Sequence, residues 1–382
     1  MTQKRIRAVF MRGGTSRALF FHATDLPGAG PDRDRILLTA LGSPDPYGRQ
    51  LDGLGGGISS LSKACIIGPP SHPGADVDYT FAQVDVKNPV VDYQGNCGNC
   101  SSAVGPFAID ERLVPGAAGE TRVRIHNTNT RKLIVAHVPV KDGEAAVEGD
   151  FELAGVPGRG ARIALDFLDP GGAGTGRLLP TGRPRDLLDG VEASLVDATN
   201  PVVFVRAKDL GLAGTETPQA VDADRSLSAR LEAIRAEAAR RMGIPGSSAV
   251  PKIAIVAPPT DFTALDGARY PLDQVDLVAR VISMGNCHRA FALTAAMCLA
   301  VAARLEGTLV HECATGATRA SGRPPTGHAG LAASAPIIKL GHPSGILPID
   351  AAVSVRDGAP WAERVTVYRT ARRLMEGFVR VP

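Results

Sequence analysis

The sequence predicts an α+β fold in two similar, strand-rich halves, and three observations carry that prediction. Short runs that alternate or are β-branched recur along all 382 residues, each bounded by turn residues. Helical patterns are few, and two of them consist almost wholly of small or apolar residues, as a helix buried inside a domain does. A Gly- and Pro-rich stretch from Pro170 to Gly190 divides the chain near its middle, with a similar order of elements on either side. The halves are therefore expected at 1–185 and 186–382, with the last strand free to return to the first half.

In chain order, strands are expected at Ile6–Phe10, Ala18–Phe21, Val77–Val86, Val123–Ile125 and Leu133–Val140. The second half offers Val202–Val205, Lys252–Val256, Thr308–His311, Ile337–Leu340 and Arg364–Tyr368. Helices are expected at Asp32–Leu41, with Asp near its start, and at Ser101–Asp110. Ser226–Met242 is clearly amphipathic and stops at Gly243, while Ala290–Leu305 is apolar nearly all round. Gly95-Asn96-Cys97 leads into the first buried helix, and Gly285-Asn286-Cys287 is expected to lead into the second. Free N–H groups and the positive end of the dipole suit such helix starts to a carboxylate.

The composition excludes several classes. Charged residues make up 21% and hydrophobic residues 44%, as in a globular protein. A net charge of +3, with both signs scattered, gives no reason to expect a nucleic acid or a membrane as partner. The N-terminal segment runs into Lys4, Arg5 and Arg7 with no apolar stretch behind them, so no signal peptide is read there and a cytoplasmic protein is expected. Six cysteines in a chain of this length do not make a disulfide framework.

Two residues stand out for chemistry. Cys97 lies in Gly95-Asn-Cys-Gly-Asn-Cys100, a strand-to-helix turn whose glycines leave the backbone open to a ligand. A thiol at a helix N-terminus is expected to have a lowered pKa and to serve as acid or base. A plain turn cysteine is the alternative. The Cys97-x-x-Cys100 spacing also fits a disulfide exchanger, but that fold is far smaller than this chain, and a zinc site lacks a second pair at the usual spacing. Lys63 follows a Gly-rich segment that is neither a phosphate loop, since Ser62 and Ala64 flank it, nor a dinucleotide fingerprint, since Ile58 replaces the third Gly. Flanked by Leu61, Ala64 and Cys65, it must be partly buried, and burial disfavours an ammonium, which suits a base. A surface Lys at the start of a strand is the bland alternative. Met11-Arg-Gly-Gly-Thr-Ser-Arg17 and His342-Pro-Ser-Gly345 are turns with the donors to hold a carboxylate, though an ordinary hairpin has the same residues.

Taken in order, Met11–Ser16, Asp52–Gly57 with Ser62-Lys63, Gly95–Asn99, Met284-Gly285-x-x-His288 and His342–Gly345 resemble the 2-methylaconitate isomerase (PrpF) family. Oxalomesaconate tautomerases and methylitaconate isomerases belong to the same group. The resemblance runs from about residue 5 to 350. It implies a diaminopimelate-epimerase-like fold, two strand-rich barrels each around a central helix, and proton transfer on a small unsaturated polycarboxylate without cofactor or metal. By the same resemblance Lys63 and Cys97 are the catalytic pair. Ser16, Arg17, Asn96, Gly98, Asn99, Met284, Gly285, His288, Ser344 and Gly345 are then the substrate-binding residues. A homodimer is compatible with this reading. An amino-acid epimerase on the same fold is the alternative, and it would need Cys287 as a second working thiol.

Overall fold

The computed structural model describes residues 3–244, 249–314 and 337–382. The chain forms two compact units: Met1–Leu165 together with Tyr368–Pro382, and Asp166–Val367. The change of unit falls at 165/166, earlier than the 185/186 boundary expected from sequence, and the Gly- and Pro-rich stretch lies wholly inside the second unit.

In the first unit, β1 (Lys4–Gly13) and β2 (Ser16–His22) pair antiparallel, closing at Gly13 opposite Ser16. The C-terminal strand Ala371–Val381 pairs antiparallel with the whole of β1 on its other side. β3 (Lys63–Gly68) runs parallel to β2 and antiparallel to β4 (Val77–Val84). β5 (Val91–Asp92) pairs briefly with β4, and β6 (Gly119–Asn127) runs parallel to it before turning back into β7 (Lys132–Lys141). Both β6 and β7 alternate buried and solvent-facing residues, the period-two pattern of strands with one face on a core.

Two helices complete this unit, α1 (Pro31–Leu41) and α2 (Gly98–Asp110). α1 carries Pro at its first position and Asp32 and Asp34 in its first turn, and it ends on left-handed Gly42. α2 is buried along almost its whole length and packs against β1, β2, β6, β7 and the C-terminal strand. Its small residues, Ser101, Ser102, Ala103 and Gly105, let strands approach from several sides. The hydroxyls of Ser101 and Ser102 donate back to the carbonyls of Cys97 and Asn99, so no hydroxyl is left unpaired there.

The second unit repeats the theme. Strands Val191–Ala198, Asn200–Arg206, Lys252–Ala257 and Leu277–Ser283 pair in succession, and Ile338–His342 joins Leu277–Ser283 in parallel. The helix Leu293–Ala302 is buried at every residue and packs on Val191–Ala198, Asn200–Arg206 and Gly345–Arg356. The amphipathic helix Arg225–Arg241, capped by Asp224 at the amide of Leu227 (2.9 Å), buries Leu227, Leu231 and Ile234.

Two sequence expectations change here. Thr308–His311 is not a strand: residues 309–314 are helical, and the Thr308 hydroxyl accepts from the His311 amide at 3.1 Å as an N-cap. Gly285-Asn286-Cys287 does not open the buried helix, which begins at Leu293. Met284 (φ 52°) and Gly285 (φ 75°) are both left-handed and form the two-residue loop of a hairpin in which Ser283 faces Asn286. Cys287 therefore lies on the return strand.

Candidate active site

The first unit gathers its candidate residues around the start of α2. Cys97 is the N-cap of that helix, with extended backbone, and its sulfur accepts from the Cys100 amide at 3.4 Å. Its carbonyl accepts from the Tyr79 hydroxyl (3.4 Å) and the Ser101 hydroxyl (3.0 Å), which fixes the turn. The thiol is raised well above the ordinary thiol range, because its hydrogen bond with the Cys100 thiol and its burial outweigh the Cys100 amide and the charge of Lys63. This reverses the lowered pKa expected from helix position alone. A helix N-terminus favours a thiolate only where the sulfur is otherwise free, and this one is buried against a second thiol. Both causes favour the thiol over the thiolate at Cys97.

Lys63, the first residue of β3, is buried. Its Nζ donates to Gln83 Oε1 and lies 5.1 Å from the centre of the Phe81 ring. β3 packs on α2, the helix that Cys97 caps and that carries Cys100.

The glycine turn between β1 and β2 is stitched to the same helix. Asn99 Nδ2 donates to Thr15 Oγ1 at 3.1 Å, and Asn99 Oδ1 accepts from Arg369 Nε at 3.0 Å. A Cβ on Gly13 would stand 2.5 Å from the Asn99 carbonyl, and one on Gly14, already at φ 50°, only 2.2 Å from Asn99 Oδ1. Both positions therefore require glycine. Ser16 is buried beside this turn. The Arg17 guanidinium lies 5.3 Å from the Phe10 ring centre, and its buried Nε finds no acceptor among the described residues. Asn96 is buried and accepts from Asn127 Nδ2 at 3.3 Å, while Gly98 opens the helix.

The second unit brings its own candidates together in two adjoining turns. Met284 and Gly285 make the hairpin loop, and the His288 amide donates to the Val281 carbonyl at 2.8 Å. The Ser344 hydroxyl donates to the Arg289 carbonyl at 2.6 Å, and the Ser344 amide to His342 Nδ1 at 3.1 Å. Gly345 (φ 126°) begins the strand that returns opposite His342. Cys287 is packed in the hydrophobic core of this unit, and burial with the nearby Asp222 raises its thiol to about 12 against the pull of Arg280.

Sequence reasoning missed Gln83, Tyr79, Asn127 and Arg369, each of which holds a candidate residue in place. Only a strand register signals Gln83, which stands opposite Lys63 on β4. Among the described residues no group of three or more His, Cys, Asp or Glu side chains is placed to hold a metal, and no helix is long and apolar enough to cross a membrane.

A fold of two strand-rich units, each around a buried helix, with a thiol capping one helix and a buried amine opening a strand that packs on it, defines an isomerase of the epimerase-like type. The chain belongs to the PrpF protein family, which it matches over residues 3–382. It is 44% identical to a 3-methylitaconate isomerase from Eubacterium barkeri, over 99% of this chain and 98% of that one. It is 40% identical to a 2-methyl-aconitate isomerase from Shewanella oneidensis, over 100% of this chain and 98% of that one. The crystal structure of a methylitaconate-delta-isomerase superposes with a TM-score of 0.76 at 43% identity, covering 100% of this chain and 96% of that one. A hydroxyproline epimerase from Agrobacterium vitis shares the fold at a TM-score of 0.55 and 12% identity, over 100% of this chain and 94% of that one.

Proposed function

We propose that this isomerase moves a proton on a small unsaturated di- or tricarboxylate of the methylitaconate and 2-methylaconitate type, with Lys63 and Cys97 as its proton-transfer groups. The observation that carries the reading is that Cys97 caps α2 while buried Lys63 opens β3, a strand that packs on that helix. The Lys63 amine takes an allylic proton, charge spreads into the conjugated carboxylate as a dienolate, and Cys97 returns a proton at another carbon or after bond rotation. Backbone amides of the first helical turn suit the developing charge. Arg17, with its unpaired buried Nε, is the candidate partner for a substrate carboxylate, and Ser16, Asn96, Gly98 and Asn99 line the same turns. Met284, Gly285, His288, Ser344 and Gly345 are proposed as further substrate-binding residues. The two-thiol epimerase reading is less favoured, because Cys287 is packed among core hydrophobes.

The test is a panel of 3-methylitaconate, 2-methylaconitate and 4-oxalomesaconate in D₂O, followed by absorbance and NMR. Turnover of one acid with deuterium at the new protonation site is expected, and Lys63→Ala should lose about 10²–10⁴-fold in kcat. Full activity of Lys63→Ala, or no turnover of any of the three acids, would sink the reading.

A further inference from the structure

We infer that Gln83 is the positioning residue of the reaction, an uncharged acceptor that aims the Lys63 amine without favouring its ammonium form. The inference rests on the proposed role of Lys63. Both N–H bonds of the Gln83 amide are committed: Nε2 donates to the Ser62 carbonyl at 2.9 Å and to the Ser59 carbonyl at 3.1 Å. Those oxygens only accept, so the amide cannot be flipped, and Oε1 must face Lys63 Nζ, which donates to it. The pairing is set by the sheet, because Lys63 and Gln83 are directly opposed on β3 and β4. Gln83 is itself buried.

An amide oxygen can take one N–H from either an ammonium or a neutral amine, so it fixes the nitrogen through both stages of a proton transfer. A carboxylate at the same place would bias the nitrogen toward ammonium and stop it accepting a proton. From the neighbouring helix α2, on which β3 packs, come the thiols of Cys97 and Cys100. From its own sheet Lys63 meets Gln83 and the Phe81 ring, which carry no charge. In its ionised form Gln83→Glu would introduce an anion beside the amine, against the Ser59 and Ser62 carbonyls, which only accept and favour its protonated form.

The experiment compares the full-length wild type with Gln83→Glu, Gln83→Met and Lys63→Ala on 3-methylitaconate or 2-methylaconitate, whichever the wild type turns over. Rates are taken across roughly pH 6 to 10. In Gln83→Glu the acid limb of the kcat profile is expected to move up by about one pH unit or more, with recovery toward the wild-type rate on the alkaline side. Gln83→Met, which keeps the volume and removes the acceptor, should lower kcat about 10–100-fold with KM within about threefold. A Gln83→Glu profile coincident with wild type, or a Gln83→Met kcat within about threefold of it, overturns the inference. If Gln83→Glu does not fold, the kcat-against-KM split in Gln83→Met decides alone. An active Lys63→Ala overturns the functional reading instead. A dead Lys63→Ala beside unaltered Gln83 variants overturns this inference and leaves that reading standing.

Discussion

Cys97 and Cys100 share one helical turn, yet replacing each thiol is expected to have a different effect. Cys97→Ser replaces the proposed proton donor by a far weaker acid and should cost about 10²–10⁴-fold in kcat. Cys100→Ala leaves the donor in place but removes the thiol whose hydrogen bond is the largest cause of the raised Cys97 pKa. The sign follows directly. A raised thiol keeps its proton to higher pH, so wild-type activity should persist past the ordinary thiol pKa of about 8.5. In Cys100→Ala the alkaline limb should move down, and Cys97 should alkylate faster with iodoacetamide at a fixed pH. An unchanged limb with unchanged alkylation would show that Cys100 does not hold the proton on Cys97. Cys287→Ser should lose little, since its sulfur is packed in the core. At this scale the sequence displayed Cys97 and Lys63 through their flanks, glycine on one and small apolar residues on the other. Gln83 and Arg369 stayed invisible: one needs the β3–β4 register, and the other reaches Asn99 from far along the chain.

Among the elements, α2 is held at both ends, and its far end makes its own prediction. Glu111, the C-cap, accepts from Arg7 on β1 (2.7 Å), pairs with His22 on β2 (2.8 Å) and accepts from Arg373 on the C-terminal strand (2.9 Å). Burial alone would raise its pKa, but the His22 and Arg373 hydrogen bonds and the arginine charges win, and the carboxyl is lowered. A depressed carboxyl stabilises the fold above its unfolded pKa of about 4.3 and loses that contribution as pH falls through the folded value. Glu111→Gln should thus cost about 1–3 kcal/mol near neutrality, read by urea melts, and the gap from wild type should close in acid. A gap that stays constant with pH would mean the carboxylate charge plays no part. The helices themselves were legible in sequence, because periodicity and caps are local. The misreadings were places where the same residues serve two geometries. Thr308 looked like a β-branched strand opener and is a cap, while Gly-Asn-Cys precedes a helix at 95–97 and ends a hairpin at 285–287, after left-handed Met284.

For the whole molecule, the chain order makes the two units unequal. The second, Asp166–Val367, is one continuous stretch of sequence, whereas the first needs its last fifteen residues returned from the far end. Those residues are not an accessory edge. Ala371–Val381 pairs along all of β1, Val379 and Val381 sit in one core with Ile6, Ala8 and Leu19, and Arg369 holds Asn99. A fragment of residues 1–165 would expose the edge of β1 and leave that core open. It would also strip Glu111 of one cation and leave Asn99 Oδ1 without its donor. Residues 1–165 expressed alone should therefore not unfold cooperatively. Adding a peptide of residues 368–382 to the 1–165 fragment should restore a cooperative transition and near-ultraviolet dichroism. The same peptide carrying Arg369→Met should restore the transition but leave Asn99 less well held, seen as faster amide exchange in the first turn of α2. A cooperative 1–165 fragment that ignores the peptide would show that the returning strand is dispensable to the first unit, against its pairing with β1 and its share of the core.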